Sequence, residues 1–392
     1  MAPTILSRAA SGLKLWVPVG AYMGLIRPPI VTIQQIYFLW TGATVHPDLS
    51  ARTCLFFGAW VICTTQKYPT NANIFFKTNI LFLIMDGFGD ELFVRLRERG
   101  YQARIVSISH LKLLEKEIHS FRNHGSLDVE FYQDRLAWFS FKVPKDLPQA
   151  RSMIVVAVPR PQTRAIFTWN GQRSQLLIPP TYTAYKGIEE QTKNLLEKIL
   201  SEKGYTVKGS ALPLKLLAVR SGLGEYGRNN VCYVQGMGSF LQLVAFYSDF
   251  PCEEDSFQET TIMESCEECD LCQRACPTGA ISPDRFLLHA ELCISYHNEK
   301  KGDIPFPTWM NDSWHNCIIG CMHCQSVCPQ NRDFINWIRE KEEFSEEETA
   351  LVLQGVPQDK LPAITLRKLD HLGLTNYFTS LSRNLGIFIS KD

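Results

Sequence analysis

The chain has 392 residues, 45% of them hydrophobic, and its 40 basic side chains balance its 40 acidic ones. This composition is that of an ordinary globular protein with room for about two or three domains. Because the charges balance, the net charge gives no support for nucleic-acid binding, and only a local basic patch would support it. No DNA-binding signature accompanies it.

The first 84 residues differ from the rest, since they contain a single acidic residue, Asp48, beside apolar patches at 53–63 and 80–85. No apolar run reaches the roughly 18–20 residues that span a bilayer, and neither a twin-arginine nor a cleavable secretory signal is evident. Three interpretations stay open: a membrane-touching extension, an organelle-type leader, or sequence that precedes a start near Met85. We favour the third, because helical patterning begins just after Met85, and we treat residues 1–84 as an uncertain extension.

Beyond Met85, short apolar runs alternate with amphipathic stretches. The predicted helices cover residues 90–99, 109–121, 185–203, 214–220 and 334–342, and the predicted strands cover residues 103–108, 152–158 and 238–247. Small packing helices are expected over residues 350–392, and the acidic run at 340–348 is expected to be a solvated face. Because the elements alternate without regular βαβ units, the predicted fold class is α+β.

A glycine-rich stretch follows the predicted helix at 214–220 and contains Gly222, Gly224 and Gly227. Glycines at this density allow either turns with positive φ or close approach of the backbone to a ligand. The spacing also fits a dinucleotide fingerprint, but that motif needs a strand before it and a helix after it. We therefore reject a dinucleotide site and keep the ligand loop and the plain turn as alternatives.

The cysteines carry the clearest chemical pattern. From Cys266 the sequence reads C-x2-C-x2-C-x3-C-P, and from Cys321 it reads C-x2-C-x3-C-P, with Cys293 between them. The first run is that of bacterial ferredoxins, in which the fourth cysteine ligates the other of two [4Fe–4S] clusters. The predicted first cysteine group is Cys266, Cys269, Cys272 and Cys328, and the predicted second cysteine group is Cys276, Cys293, Cys321 and Cys324.

Zinc and disulfides explain this pattern less well. A structural zinc site takes four ligands in two pairs, and a disulfide framework is typical of small secreted domains. Thiolate-ligated clusters indicate a reducing compartment, so the predicted location is the cytoplasm. The other cysteines are interpreted as ordinary thiols, with Cys317 as an alternative ligand; they are Cys54, Cys63, Cys232, Cys252 and Cys317.

Several of these motifs resemble epoxyqueuosine reductase. They are Cys-Pro-Thr-Gly-Ala-Ile at 276–281, Cys-Ile-Ser-Tyr at 293–296, the block at 319–331, and Arg-Ser-Gly-Leu-Gly from Arg220. The stretches at 222–228 and 246–250 are also similar to reductive dehalogenases. Both families combine a cobalamin-binding, nitroreductase-like domain with a two-cluster ferredoxin module. The resemblance therefore implies a corrinoid-type domain at 85–253, a cluster module at 254–335 and a helical tail at 336–392.

The resemblance is incomplete at the position of the family's catalytic aspartate. Lys208 stands there, and the family's Asp-Tyr-His segment corresponds to residues 188–190, which are Ile-Glu-Glu. The proton donor for epoxide reduction is thus not where the family has it. The substitute candidates are Tyr182, Tyr185, Lys208 and Tyr226.

The function that the resemblance implies is a reductase. Electrons from a low-potential donor such as ferredoxin or flavodoxin would pass through two clusters to cobalamin, which reduces an organic substrate. Two alternatives remain, namely a non-catalytic electron-transfer protein of the ferredoxin type and a non-respiratory reductive dehalogenase. The candidate corrinoid contacts are Gly222, Gly224, Gly227, Arg228 and Asn229.

Overall fold

The computed structural model describes residues 52–57, 60–65 and 88–389. The chain divides into two units, Met1–Gly87 and Phe88–Asp392. In the first, strands β1 (Arg52–Phe57) and β2 (Trp60–Thr65) form an antiparallel hairpin. The rest of the predicted extension at 1–84 lies outside the described residues. Within those that are described, no helix has the length and hydropathy required to cross a bilayer.

The second unit contains the remaining elements. Its strands are β3 (Gln102–Ser107), β4 (Ser152–Pro159), β5 (Gln162–Trp169), β6 (Gln172–Ile178), β7 (Val207–Gly209), β8 (Glu225–Tyr226), β9 (Cys232–Tyr233), β10 (Leu241–Ser248) and β11 (Ile338–Phe344). Its helices are α1 (Phe88–Arg97), α2 (Leu111–Asn123), α3 (Val129–Arg135), α4 (Tyr185–Ser201), α5 (Leu214–Arg220), α6 (Leu271–Ala275), α7 (Ile294–Glu299), α8 (His323–Ser326), α9 (Glu346–Leu353), α10 (Ala363–His371) and α11 (Phe378–Phe388).

A four-stranded antiparallel sheet of order β3-β4-β10-β7 forms the centre of this unit. Alternate residues of a strand point to opposite faces. In β4, Met153 and Val155 pack with the helices α2 and α5 on one face. Ile154 and Val156 pack with α1 and α4 on the other. The two layers of helices bury β4 and β10 on both faces, which explains their nearly uninterrupted apolar sequences.

The three-stranded sheet of order β11-β5-β6 corrects one prediction. Residues 334–342 were expected to be helical, and this was wrong, because β11 (Ile338–Phe344) pairs with β5 in parallel. Phe344 stacks on Phe167 of β5 with ring centroids 4.5 Å apart, and Glu340 forms an ion pair with Arg164 at 2.6 Å. Strand preference depends on such cross-strand partners. The partners here are far away in sequence, so no local pattern indicated them.

Most other predicted elements are confirmed to within a few residues. The helix predicted at 214–220 is α5, and the buried strand predicted at 152–158 is β4. The small helices predicted after residue 350 are also present, as the end of α9 and as α10 and α11, and they pack against β5 and β6. The helix α3 and the β5–β6 hairpin were not predicted. The structure is therefore a mixed α/β fold.

Gly373 lies between α10 and α11 in the chain and packs against the loop that precedes α4. Its φ is +74°, and a Cβ placed on it would lie 2.4 Å from the carbonyl oxygen of Tyr182 and 2.9 Å from the backbone nitrogen of Ala184. Ala184 itself has a positive φ of 56°. The C-terminal helices thus fix the position of Tyr182 through direct backbone contact.

Candidate functional site

The structure brings the cysteines together in the two predicted groups. A small cavity is lined by the first cysteine group, including Cys328 from the second sequence motif. A larger cavity, here called the chamber, is lined by the second cysteine group, including Cys276 from the first motif. All eight thiols are free of disulfides. The two motifs therefore exchange their last cysteines in space.

Neither group is arranged around a single ion. Among the described residues, no three His, Cys, Asp or Glu side chains converge as ligands of one metal. A cubane instead holds its thiolates at the corners of a cluster, so its ligands stand farther apart than those of a lone zinc ion.

Short helices set the cysteines in place. Cys272 lies in α6, Cys324 lies in α8, and Cys293 immediately precedes α7. The backbone N–H groups of Ser295 and Tyr296 donate to the sulfur of Cys293, as expected for a thiol at a helix N-terminus.

Burial nevertheless dominates, and it raises the pKa of the Cys272 thiol to about 11 and the pKa of the Cys324 thiol well above its usual value. Such thiols ionise readily only beside a metal. The donor set of eight thiols outside disulfides thus fits iron–sulfur clusters.

The chamber has a volume of about 560 Å³, within the range of roughly 300–1,000 Å³ that is typical of small-molecule sites. It lies between the second cysteine group and the helices α2, α3 and α5. Its walls are mainly apolar, and aromatic rings recur around it: Phe121, Phe131, Trp138, Phe139, Tyr226, Phe286 and Tyr296.

Lys215 is a charged residue in this apolar chamber. Its side chain is open to the chamber, although protein surrounds it, and its Nζ donates to the carbonyl oxygen of Asn230 at 3.1 Å. Burial lowers the pKa of Lys215. Lys215 was not among the residues predicted from the sequence. The feature that could have indicated it is a single lysine among the apolar residues of α5.

Glu299, at the end of α7, lines the chamber, as does a second acidic residue, Glu117 of α2. One of its oxygens accepts from the hydroxyl of Tyr182, and the other pairs with Arg135 at 2.9 Å. Burial raises the pKa of Glu299, against the opposing effects of Arg135, the Tyr182 hydroxyl and Lys215. The carboxyl group therefore retains its proton to a higher pH than an ordinary glutamate does.

The four predicted proton donors lie in different places. Tyr226 lines the chamber, with its ring edge-on to Phe286 at 5.2 Å. Tyr182 reaches the chamber through Glu299. Tyr185 lines neither cavity. Lys208 is 37% exposed and pairs with Asp146 at 2.9 Å, so the structure places it away from the chamber.

The glycine-rich stretch packs against the protein itself. A Cβ on Gly224 would lie 2.5 Å from the carbonyl oxygen of Tyr233, and the positive φ of Gly222, +70°, turns the chain after α5. Neither residue lines the small cavity or the chamber. Arg228 donates to the carbonyl oxygen of Cys266 at 2.5 Å. This stretch therefore holds the loop that carries the first cysteine group.

Comparison with known proteins agrees with this geometry. Residues 265–331 match the family described as the 4Fe-4S double cluster binding domain. An epoxyqueuosine reductase of Pseudomonas aeruginosa is 34% identical over 260 residues, which cover 60% of this chain and 66% of that protein. The epoxyqueuosine reductase structure from Streptococcus thermophilus has a TM-score of 0.53 at 20% identity, covering 76% of this chain and 79% of that chain. The chain is similar to epoxyqueuosine reductases over more than half of its length.

The extent of this likeness differs between relatives. The chain spans about half the length of the relatives from Leadbetterella byssophila and Bacillus subtilis, 47% and 49%, at 33% and 28% identity over 37% and 47% of this chain. The resemblance predicted from the motifs is confirmed, and residues 265–331 form a double [4Fe–4S] domain. The structural likeness establishes a fold shared with epoxyqueuosine reductases.

Proposed function

We propose that the chain is an iron–sulfur reductase that delivers electrons singly, through two [4Fe–4S] clusters, to a substrate in the chamber. One observation carries this proposal: the second cysteine group forms part of the same cavity wall as the ionisable residues Lys215 and Glu299. An electron source and proton-bearing groups therefore face one enclosed space. Reduction of an organic molecule requires both.

The two cysteine groups are proposed to hold one cluster each, and the clusters supply one-electron transfer. Cys266 and Cys269 of the first group are partly exposed. The first cluster is therefore proposed to receive electrons from a low-potential donor such as ferredoxin or flavodoxin. The second cluster, on the chamber wall, is proposed to pass them to the reaction.

Cobalamin is the proposed resident of the chamber, where its cobalt would supply two-electron reduction chemistry. The mainly apolar, aromatic walls suit a macrocycle, and the polar groups of Lys215 and Asn230 on the same walls suit its carboxamide rim. The protein's part in such chemistry is to bind and orient. Of the five corrinoid contacts proposed from the sequence, Asn229 alone is among the chamber-lining residues.

The proposed substrate is an epoxide on a modified nucleoside, as the name of the relatives indicates. One structural neighbour is an epoxyqueuosine reductase with an epoxyqueuosine-modified tRNA stem loop. Reduction of an epoxide to an alkene consumes two electrons and two protons and releases the oxygen as water. Glu299 is proposed to hold one of these protons, and Lys215 to hold the other.

A non-catalytic electron-transfer protein is the second candidate. It is favoured by the tight contacts of Gly224 and Gly227, which require glycine without any ligand. The chamber-lining Lys215 and Glu299 oppose it, because a pure electron carrier has no need of proton donors on a cavity wall.

Anaerobic reconstitution of the full chain with iron, sulfide and cobalamin distinguishes the reductase from the electron-transfer protein. We expect stoichiometric retention of corrinoid, and we expect Leu288→Trp, which fills the chamber wall, to abolish it while iron is kept. Leu113→Trp, at a position 45% exposed on α2, is the matched control and should retain corrinoid. A protein with full iron and no corrinoid would favour the electron carrier.

Glu299→Gln is expected to lower turnover of an epoxyqueuosine-bearing stem loop by about 10²–10⁴-fold, the usual contribution of a general acid. The variant retains an oxygen to accept from Tyr182 and should keep wild-type iron content. In the wild type the protonated acid is present below the raised pKa of Glu299, so turnover should fall as pH rises through that pKa. This pH limb should vanish in Glu299→Gln.

The control for this experiment is Glu197→Gln, which removes a carboxylate paired with Lys193 on the surface of α4. It should leave turnover and its pH profile unchanged. Wild-type turnover in Glu299→Gln would remove the residue from the reaction.

A further inference from the structure

Two buried polar side chains lie beside the two cysteine groups, Asn229 on the turn that joins β8 and β9 and Tyr233 in β9. Asn229 is 3% exposed and Tyr233 is 4% exposed. The Nδ2 of Asn229 donates to the Tyr233 hydroxyl oxygen at 3.0 Å. Tyr233 lines the small cavity, whereas Asn229 lines both the small cavity and the chamber.

Each of the two side chains shares a cavity wall with cysteines of one or both groups. Tyr233 lines the small cavity with Cys328 of the first group, and Asn229 lines the chamber with Cys324 of the second group. An amide NH₂ has two N–H donors and a phenol has one O–H donor. The tyrosine oxygen accepts from one N–H of Asn229, so the tyrosine O–H and the second N–H of Asn229 are the donors that face the two groups.

The surrounding backbone fixes this arrangement. The Oδ1 of Asn229 accepts from the backbone N–H of Val231 at 3.2 Å, which directs the NH₂ group toward the tyrosine. A Cβ on Gly227 would lie 2.6 Å from that Oδ1 and 2.6 Å from Cε2 of Tyr233. Glycine at 227 is therefore required to seat both side chains.

We infer that Asn229 and Tyr233 tune the reduction potentials of both clusters, Tyr233 acting on the first and Asn229 on both. Hydrogen bonds to the sulfurs are among the factors that set cluster potentials. Reduction adds negative charge to a cluster, and an N–H or O–H aimed at a sulfur stabilises that charge. Each bond thus makes its cluster easier to reduce. The inference rests on the proposed ligand groups.

Tyr233→Phe removes a single oxygen and isolates the contribution of the tyrosine O–H donor. We expect a roughly tenfold fall in the equilibrium constant for one-electron reduction of the first cluster, which is about 59 mV. The second cluster should remain unchanged. Asn229→Leu should lower the potentials of both clusters, because it removes the donor that faces the second group and the partner that orients Tyr233.

The measurement is an anaerobic redox titration of the reconstituted full chain, followed by electron paramagnetic resonance. Tyr247→Phe is the matched control, since this tyrosine is 2% exposed and its hydroxyl meets only the carbonyl oxygen of Ser140, at 3.4 Å. If Tyr233→Phe has full iron content and unchanged cluster reduction potentials, the inference is overturned and the proposed function is not affected. Absence of clusters from the wild type would overturn the proposed function with it.

Discussion

Cys276→Ala is expected to destroy the cluster on the chamber wall, although Cys276 belongs to the first sequence motif. Its sulfur lines the chamber with Cys293, Cys321 and Cys324, so its loss leaves that cluster with three protein ligands. Cys328→Ala is the mirror case and should destroy the other cluster. Iron content should fall by half in each variant, and the paramagnetic signals that remain should differ between the two.

The exchange of ligands is tested by grouping variants according to their spectra. Cys276→Ala should match Cys321→Ala, and Cys328→Ala should match Cys266→Ala. Cys317→Ala is the control, because this buried thiol lines neither cavity, and it should keep full iron content. If Cys276→Ala instead matched Cys266→Ala, each sequence motif would hold its own cluster and the exchange would be disproved.

Gly373→Ala is expected to destabilise the protein by about 2–6 kcal/mol. The residue has a φ of +74°, which costs about 1–3 kcal/mol for a residue with a side chain. The added methyl group would also overlap the backbone at Tyr182, and overpacking of this kind typically costs about 1–3 kcal/mol more. The measurement is the thermal unfolding midpoint of the reconstituted protein, which should fall clearly.

Gly386→Ala provides the matched control, because Gly386 lies within α11 and a Cβ there meets nothing within 4 Å. Alanine is favoured over glycine inside a helix by about 0.5–1 kcal/mol, so this variant should unfold at a slightly higher temperature. Equal midpoints for Gly373→Ala and the wild type would show that the loop before α4 adjusts freely.

Local patterns were sufficient for the elements that depend on near neighbours. The two cysteine motifs could be recognised because cluster ligands recur at fixed short spacings. Strand β4 could be predicted because both of its faces are buried, which makes its sequence apolar throughout. The helix α5 followed from its apolar run. The β5–β6 hairpin was not predicted, although a local signal for it exists. The Asn170–Gly171 pair has φ values of 47° and 71°, and Asn-Gly favours the turn that such hairpins use.

The chamber depends on contacts that sequence spacing does not record. Lys215 comes from a helix of the first half of the unit, and Glu299 comes from a short helix inside the cluster module. Nothing local to either residue indicates that both face one cavity. Strand β11 is a similar case, because its glutamates gain arginine partners only when β5 lies beside it.

The parallel pairing of β11 with β5 also bears on how the chain is made. Strand β5 (Gln162–Trp169) is synthesised long before β11 (Ile338–Phe344), the strand that covers its edge. Until then the nascent protein presents an open row of backbone donors and acceptors, a feature that invites aggregation. A chain terminated before Ile338 would keep that edge permanently bare, so premature stop codons downstream of the cysteines should yield insoluble protein even when every iron ligand is encoded.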